Sequence, residues 1–253
     1  MTVDVVIPTK GEWTLPYCVK TVRKNVDVNN LILVATSKCY STVKKLADIC
    51  LVFDEKNVGK ARALGLDYVK TPIYASIDSD VLVTSEWFEW CVKTIQSDNQ
   101  IVACQGYAKH VGKHYPVLQL QWIKDKGGKY GKGFCCLGNT MLKTDMVRKI
   151  GIPPLPVEED WQLRLKVEEA GYKWISNIDV VCPHLKNDVD VWNHAVWWGK
   201  MGGDVSLDRC FARIPYYLTF GLRQRSLKQN LFLIGLQLHL IYGKVLGVLN
   251  AYN

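Results

Sequence analysis

The chain has 253 residues, 48% of them hydrophobic and 22% charged, which is the composition of an ordinary globular protein with a sizeable core. It contains no internal repeat, low-complexity run or Ser/Gly or Pro linker, so repeat proteins are excluded and one large or two small domains remain. The nine cysteines are irregularly spaced and form no CxxC pair. This spacing argues against a zinc site and favours buried thiols, with disulfides as the alternative in a thermophile.

The formal net charge of +8 is concentrated at the C-terminal end. Residues 209–253 contain six Lys or Arg and no Asp or Glu, so this segment carries +6 and residues 1–208 carry +2. Such a basic tail predicts an anionic partner, a membrane surface rather than nucleic acid. The N-terminal residues lack the basic start and long apolar region of a signal peptide, so we expect a cytoplasmic protein, at the cytoplasmic face of a membrane if the tail binds one.

The first half alternates short apolar runs with helix-like segments. Strands are predicted at 3–8, 31–37, 50–54 and 73–78, and helices at 14–25, 40–49 and 58–70. Alternation of this kind predicts an α/β fold with a doubly wound, mostly parallel sheet and helices on both faces.

The second half is less regular. It predicts a strand at 101–111, a loop rich in Gly and Lys at 125–133, a strand, turn and helix within 134–151, and a helix with an acidic start within 153–172. We therefore expect a domain over 1–208, with halves at about 1–100 and 101–208, followed by a helical tail over 209–253.

Polar residues follow the predicted strands at their carboxyl ends. The first strand leads into Pro8 and Thr9, the third into Asp54, and the fourth into Asp78-Ser79-Asp80. In a parallel sheet these ends meet at one crevice, where ligands bind. Paired carboxylates there predict a divalent cation site, and a solvated acidic turn is the alternative. The absence of GxGxxG and GxxxxGK[ST] argues against a simple Rossmann dehydrogenase or a P-loop NTPase.

Six segments between Val3 and His184 occur in a characteristic order: VVIPTKG, FDEKNVGKARALGL, SIDSD, CLGNTMLKTDMVRKIG, EEDWQLRLKVEEAGYK and CPHLKN. This order resembles that of GT-A fold glycosyltransferases of family 2, the inverting class that uses nucleotide sugars. The resemblance implies transfer of a sugar from a UDP- or GDP-sugar to a hydroxyl acceptor with Mn²⁺ or Mg²⁺ as cofactor. Residues 1–100 would then form the nucleotide-binding half and residues 101–208 the acceptor half.

The resemblance implies a role for each acidic residue of the triplet. Asp80 matches the metal ligand, and Asp78 matches the residue that contacts the ribose or a metal-bound water, with Ser79 between them in the donor site. His184 matches a position at which some family members place a further metal ligand. A structural histidine is the alternative there, as is retention of the diphosphate by Lys186 without a metal.

The pair Glu159-Asp160 matches the acidic motif that ends in the catalytic base of the family. An inverting transfer needs a carboxylate that takes the proton of the acceptor hydroxyl, and the resemblance gives this role to Asp160. Glu159 would lie beside it in the donor site. The alternative is an acidic first turn that only stabilises its helix.

The resemblance also implies contacts to the nucleotide. Its positions are Pro8 and Thr9 at the base and ribose, Asp54 at the base, and Gly59 and Arg62 near the diphosphate. Lys60 and Arg62 could instead form a solvated basic face. The loop at 125–133 would close over donor and acceptor and exclude water, or would be an ordinary exposed loop.

The tail departs from a minimal family domain. Residues 231–252 are long and apolar enough for a membrane helix, yet Gln237, His239, Lys244 and Asn250 interrupt them. Basic residues before such a helix favour peripheral contact with an anionic membrane surface, and thus a lipid-linked or membrane-borne acceptor. Packing on the catalytic domain or on another subunit, which would form an oligomer, is the alternative.

Three other function classes agree less well with the sequence. A nucleotidyltransferase shares related architecture but usually has a Gly-rich first loop with a basic residue. The segment after the first predicted strand here, PTKGEW, is not such a loop. A non-catalytic nucleotide-sugar binding protein would tolerate loss of Asp160, which is present. A nucleic-acid binding protein would use the +8 charge, but no RNA motif is evident, so no nucleic acid is expected.

Overall fold

The computed structural model describes residues 1–120, 135–201, 206–219 and 225–251. The described residues form two compact units. The first contains residues 1–109 and 135–185, and the second contains residues 110–120 and the described residues from 186 onward. The predicted boundary at 208/209 lies inside the second unit, and the predicted loop at 125–133 lies outside the described residues.

A seven-stranded sheet forms the centre of the first unit. Its strands are β1 (Val3–Thr9), β2 (Val28–Ala35), β3 (Ile49–Val52), β4 (Ile73–Ile77), β5 (Ile101–His110), β6 (Asn139–Lys143) and β7 (Lys173–His184). The spatial order is β3-β2-β1-β4-β6-β5-β7. The first four strands pair in parallel, while β6 is antiparallel to both β4 and β5. The predicted doubly wound, mostly parallel sheet is therefore confirmed.

Helices cover both faces of this sheet. They are α1 (Leu15–Asn25), α2 (Ser37–Val43), α3 (Val58–Asp67), α4 (Ser85–Ser97), α5 (Thr144–Ile150) and α6 (Glu159–Glu169). Successive residues of β1 point to opposite faces, so Val5 and Ile7 join one core cluster with residues of α1 and α4, and Val6 joins another with residues of α3 and α6. Buried on both faces, the central strands read as continuous apolar runs.

One predicted helix is displaced. The helix expected at 40–49 begins at Ser37, and a short 3-10 helix, Lys44–Leu46, follows it. The carboxylate of Asp54 accepts a hydrogen bond from the backbone N of Ser37 at 2.8 Å, which satisfies an amide of the first turn. A carboxylate 17 residues away therefore contributes to this start, and periodicity could not reveal it.

The second unit is helical. Its helices are α7 (Asp188–Lys200), α8 (Leu207–Leu218) and α9 (Leu227–Ala251), and residues 115–120 are also helical. A capping box formed by Asn187 and Asp190 begins α7. Within the described residues, α9 is the helix that is long and apolar enough to cross a membrane, with a mean hydropathy of 1.7, by length and composition only.

Candidate active site

The acidic triplet lies at the carboxyl end of β4. The backbone N of Asp78 donates to the carbonyl of Gly138 at 2.9 Å, and the chain then turns. Residues on either side of the turn pair with the end of β7, since Leu185 N donates to Asp80 O and Leu82 N to Pro183 O, both at 2.8 Å. This pairing places His184, at the end of β7, beside the triplet.

Asp80 and His184 form the first part of the site. Asp80 Oδ1 lies 3.0 Å from His184 Nε2, and both side chains are largely buried. A carboxylate with an imidazole is a donor set that suits Mn²⁺. Among the described residues no group of three or more His, Cys, Asp or Glu could hold a metal. One carboxylate and one imidazole would fit a cation that completes its shell with phosphate oxygens and water, because Mg²⁺ is usually held by one or two carboxylates together with substrate phosphates.

Arg62 connects the triplet to the second acidic motif. Its side chain is 5% exposed. Its Nη2 lies 2.5 Å from Asp78 Oδ1, and its Nε lies 3.2 Å from Glu159 Oε1. Its Nη1 donates to Ser76 Oγ at 2.7 Å. Burial opposes the charge of Arg62, but the two carboxylates outweigh burial and raise its pKa. The planar guanidinium therefore joins α3, the end of β4 and the start of α6.

Glu159 and Asp160 begin α6. The residue before them, Glu158, has φ 64°, a left-handed conformation that a non-glycine residue rarely adopts. Strained backbone of this kind clusters at functional sites. The backbone N of Trp161 donates to Asp160 Oδ1 at 2.7 Å, and this amide is one of those left without a partner inside the helix.

The ionisation of Asp160 is strongly perturbed. Burial, and then the neighbouring Glu159, raise the pKa of Asp160 to about 7, while the hydrogen bond from Trp161 and the charge of Arg62 act in the opposite direction. Burial also raises the pKa of Glu159 in spite of Arg62. A carboxyl group that ionises near neutral pH can take up and release a proton in that range.

Several carboxylates lie close to Arg62. Asp78 and Glu159 contact its guanidinium, and both raise the pKa of Asp160. Asp80 lies two residues from Asp78 and adds a further carboxylate. The single positive charge of Arg62 does not balance these three carboxylates, and a bound cation would be favoured beside them.

The end of β1 is tied to the triplet through Glu12. The Glu12 carboxylate accepts hydrogen bonds from Thr9 Oγ1 at 2.7 Å, from Ser79 Oγ at 3.0 Å and from the backbone N of Lys10 at 3.0 Å. The predicted convergence of β1 and β4 ends is thus observed. Glu12 itself was missed from the sequence, although an acidic residue in the loop after the first strand was a visible signal.

The other predicted donor residues are placed as follows. Pro8 lies in β1 opposite Val34 of β2. Asp54 is exposed just beyond β3 and holds the start of α2. Gly59 is buried, and a Cβ at its position would overlap the carbonyl of Pro153. The geometry therefore shows close backbone packing at Gly59, and contacts of these residues with a nucleotide remain predictions.

Gly138 is a further residue that sequence reasoning missed. A Cβ at this position would lie 2.5 Å from Asp78 Oδ2, so a side chain here would displace the carboxylate that pairs with Arg62. The segment CLGNTMLK contained the glycine, but only the tertiary fold brings it against the triplet. Ser76, which hydrogen-bonds Arg62, was missed for the same reason.

Two adjacent cysteines border the acidic residues. Cys135 Sγ donates to the backbone carbonyl of Asp160 at 3.3 Å, and the backbone N of Gly138 donates to Cys136 Sγ at 3.1 Å. Burial and nearby carboxylates raise the pKa of both thiols. They therefore stay protonated and are weak nucleophiles. All nine cysteines are free thiols; five of them are buried, as their spacing favoured, and the other four are half-buried.

The model of one protein family, described as glycosyl transferase family 2, matches residues 4–151, more than half of the chain. The chain belongs to this family. It is therefore a glycosyltransferase with the GT-A fold, and the resemblance stated from the motifs is confirmed. The matched range contains the acidic triplet and Arg62 and ends before Glu159 and Asp160. A search of curated proteins finds no match.

Solved structures of glycosyltransferases resemble this family 2 enzyme over most of its length. Mannosyltransferase PcManGT from Pyrobaculum calidifontis, in complex with GDP-Man and Mn²⁺, has a TM-score of 0.66 at 15% identity, covering 98% of this chain and 87% of that chain. Glucosyl-3-phosphoglycerate synthase from Mycobacterium tuberculosis, in complex with Mn²⁺, UDP-glucose and phosphoglyceric acid, has a TM-score of 0.55 at 17% identity, covering 75% and 73%. At these identities the likeness concerns the fold.

Proposed function

We propose that this family 2 enzyme is a metal-dependent inverting glycosyltransferase that moves a sugar from a UDP- or GDP-sugar to a hydroxyl group. The observation that carries the proposal is the connection of Asp78 to Glu159 through Arg62, which brings the acidic triplet and Asp160 into one site. A donor site and a proton acceptor for the second substrate are the two parts that such a transfer needs.

Asp80 and His184 are the residues that would hold the cation. When bound, Mn²⁺ or Mg²⁺ neutralises the diphosphate and so stabilises the leaving nucleotide. Asp78 and Ser79 would contact the donor beside it. Thr9 and Pro8, at the end of β1, and Asp54, at the end of β3, would contact the base and ribose, because these strand ends form the edge at which ligands bind in such sheets.

Asp160 would act as the base. It would accept the proton of the acceptor hydroxyl as that oxygen attacks the anomeric carbon from the side opposite the leaving group. A pKa of about 7 keeps a large fraction of the carboxylate ionised at neutral pH while leaving it basic enough to take a proton. Arg62 would position this base through Glu159 and position the triplet through Asp78.

The donor and the acceptor are proposed by class. Complexes of similarly folded enzymes contain GDP-Man in one case and UDP-glucose in the other, which supports both nucleotides as donors. We favour a lipid-linked or membrane-borne acceptor at the cytoplasmic face of a membrane, because residues 209–253 combine a charge of +6 with a long apolar run.

The test is a thermal-shift screen of UDP- and GDP-sugars with and without Mn²⁺. We expect one nucleotide sugar to raise the melting temperature, and the rise to require the metal. Asp160→Asn should keep this response and lose transfer. The control is Asp145→Asn, whose side chain is 92% exposed at the start of α5 and should change neither. No response to any nucleotide sugar would refute the proposal, and unchanged transfer by Asp160→Asn would remove this residue from its role.

A further inference from the structure

The longest helix of the second unit buries two polar side chains and exposes several apolar ones. Along α9, Asn230 and Gln237 are 1% and 3% exposed, whereas Leu231 and Leu238 are 53% and 51% exposed. A helix on the surface of a water-soluble protein normally buries its apolar side chains and exposes its polar ones. The arrangement in α9 therefore indicates that its exposed face contacts an apolar environment rather than water.

The exposed apolar residues form a continuous stripe. Six of them recur at intervals of three, four or seven positions, which places these six on one side of the helix: Leu227, Leu231, Leu238, Tyr242, Val245 and Leu249, each 45% to 58% exposed. With a rise of about 1.5 Å per residue the stripe extends for about 33 Å. We refer to these six residues as the outer stripe. A contiguous apolar stripe of this length differs from the single, scattered apolar residues that are normal on the surface of a soluble protein.

The opposite side of α9 is closed by α7. A Cβ at Gly243 would overlap the carbonyl of Val196, and one at Gly247 would lie 2.8 Å from the carbonyl of Lys200. A Cβ at Gly199 of α7 would likewise lie 2.7 Å from the carbonyl of Leu240. Glycines four residues apart that let two helix backbones touch are typical of helix pairs in membranes. This packing fixes α9 with the outer stripe turned away from α7.

Basic residues of the same unit supply the matching charge. Arg209 and Arg213 are exposed on α8, as are the apolar Phe211 and Leu218. Residues 209–253 contain no acidic residue at all. Asp208, at the start of α8, precedes this run of basic residues. An apolar stripe together with a net positive C-terminal segment is complementary to a lipid surface that has acyl chains beneath anionic headgroups.

We propose that the second unit docks on an anionic phospholipid membrane, with α9 lying in the plane of the interface and the outer stripe inserted among the acyl chains. A helix in the interface plane needs one open apolar face, which is what α9 has, and the polar residues His239, Lys244 and Asn250 elsewhere along the helix disfavour a full span. Lys228 and Lys244 in the same helix are positions from which an ammonium group can reach the headgroups. The docking is independent of the sugar that the enzyme transfers.

The test is flotation of the full chain with lipid vesicles. We expect the chain to float with vesicles of phosphatidylcholine containing phosphatidylglycerol and to float at least tenfold less after Leu238→Gln with Val245→Gln. The matched control is Val52→Gln with Tyr68→Gln, which removes two apolar side chains of similar exposure, 48% and 45%, from the first unit and should float like the parent. Melting curves of each variant establish that it is folded.

The charge is tested by a second pair of variants. Arg209→Gln with Arg213→Gln should reduce flotation severalfold at low salt, whereas Lys20→Gln with Lys24→Gln, exposed on α1, should not. The proposal is overturned if the parent does not float with anionic vesicles, or if the stripe variant floats as well as the parent. It is also overturned if the stripe variant only converts a dimer to a monomer in light scattering, because the stripe would then bind a second copy of the chain.

Discussion

Replacement of Arg62 tests whether this residue connects the two acidic motifs or contacts the diphosphate of the donor directly. If Arg62 connects the two acidic motifs, Arg62→Met leaves Asp78 and Glu159 as neighbouring carboxylates without their cation. Arg62 is 4% exposed, so water cannot take its place. Removing one partner of a buried ion pair costs about 3–5 kcal/mol. For a chain of this size that corresponds to a fall in melting temperature of roughly 6–20 °C.

Arg62→Lys refines the test because it keeps the charge and loses the planar fork. A lysine presents one ammonium group and cannot bind Asp78, Glu159 and Ser76 in the same geometry. We expect a smaller loss of stability than in Arg62→Met. We also expect a fall in kcat of about 100-fold, because a small misplacement of a catalytic group has that effect. The donor KM should change little.

The assays are differential scanning fluorimetry and steady-state kinetics with the donor identified by thermal shift. Lys60→Met is the control, because Lys60 lies on the same helix and its ion pair with Glu55 is exposed, 47% and 59% on the two sides. Such a pair contributes less than about 1 kcal/mol. An unchanged melting temperature of Arg62→Met together with a large rise in donor KM would refute the connecting role and favour direct contact with the diphosphate.

Three further predictions concern the same site. Transfer measured as kcat/KM should fall as the pH drops through about 7, because Asp160 must be ionised to act as a base. The pKa of Asp160 in the folded chain lies above the ordinary 3.8, so its ionisation destabilises the fold increasingly as the pH rises from 4 to 7. Asp160→Asn should therefore melt higher than the parent at pH 7, by about 2–4 °C for each kcal/mol of destabilisation that it relieves, and this difference should fade toward pH 4. Chelation of divalent ions, or His184→Ala, should abolish the donor-induced thermal shift, and a shift that persists in both would exclude Asp80 with His184 as the cation site. Gly138→Ala should lower kcat at least tenfold, since its Cβ meets the carboxylate of Asp78 at 2.5 Å; wild-type turnover in this folded variant would contradict the close approach.

Much of the site could be predicted because strand ends in a parallel sheet converge. Once alternating apolar runs identify the strands, Thr9 and Asp78 must lie at the same edge, and the structure joins them through Glu12. The positions of these residues along the chain were enough for this prediction. The sequence could not reveal that Arg62 is buried between two carboxylates, because a basic residue within a helical pattern is equally compatible with a solvent-exposed side chain.

The residues that were not predicted are identified only by their contacts in the folded chain, and no sequence pattern marks them. Gly138 and Ser76 are common residue types in ordinary strands, and only their distance to Asp78 or Arg62 gives them a role. The displaced start of α2 has the same origin, since Asp54 contributes to it from beyond the next strand. Contacts between residues far apart in sequence depend on the packed backbone, and local propensity carries no information about them.

The layered α/β class and the basic, apolar character of the C-terminal segment could be predicted from hydrophobic periodicity and charge, which are properties of the chain alone. The order of the motifs can be read directly from the chain. Which carboxylates share Arg62, and which side of α9 is left open, became visible only in the folded protein. Both features depend on close packing. The Arg62 guanidinium is buried among three segments of the chain, and glycines allow α9 to approach α7 closely. Such packing exists only when distant parts of the chain have come together.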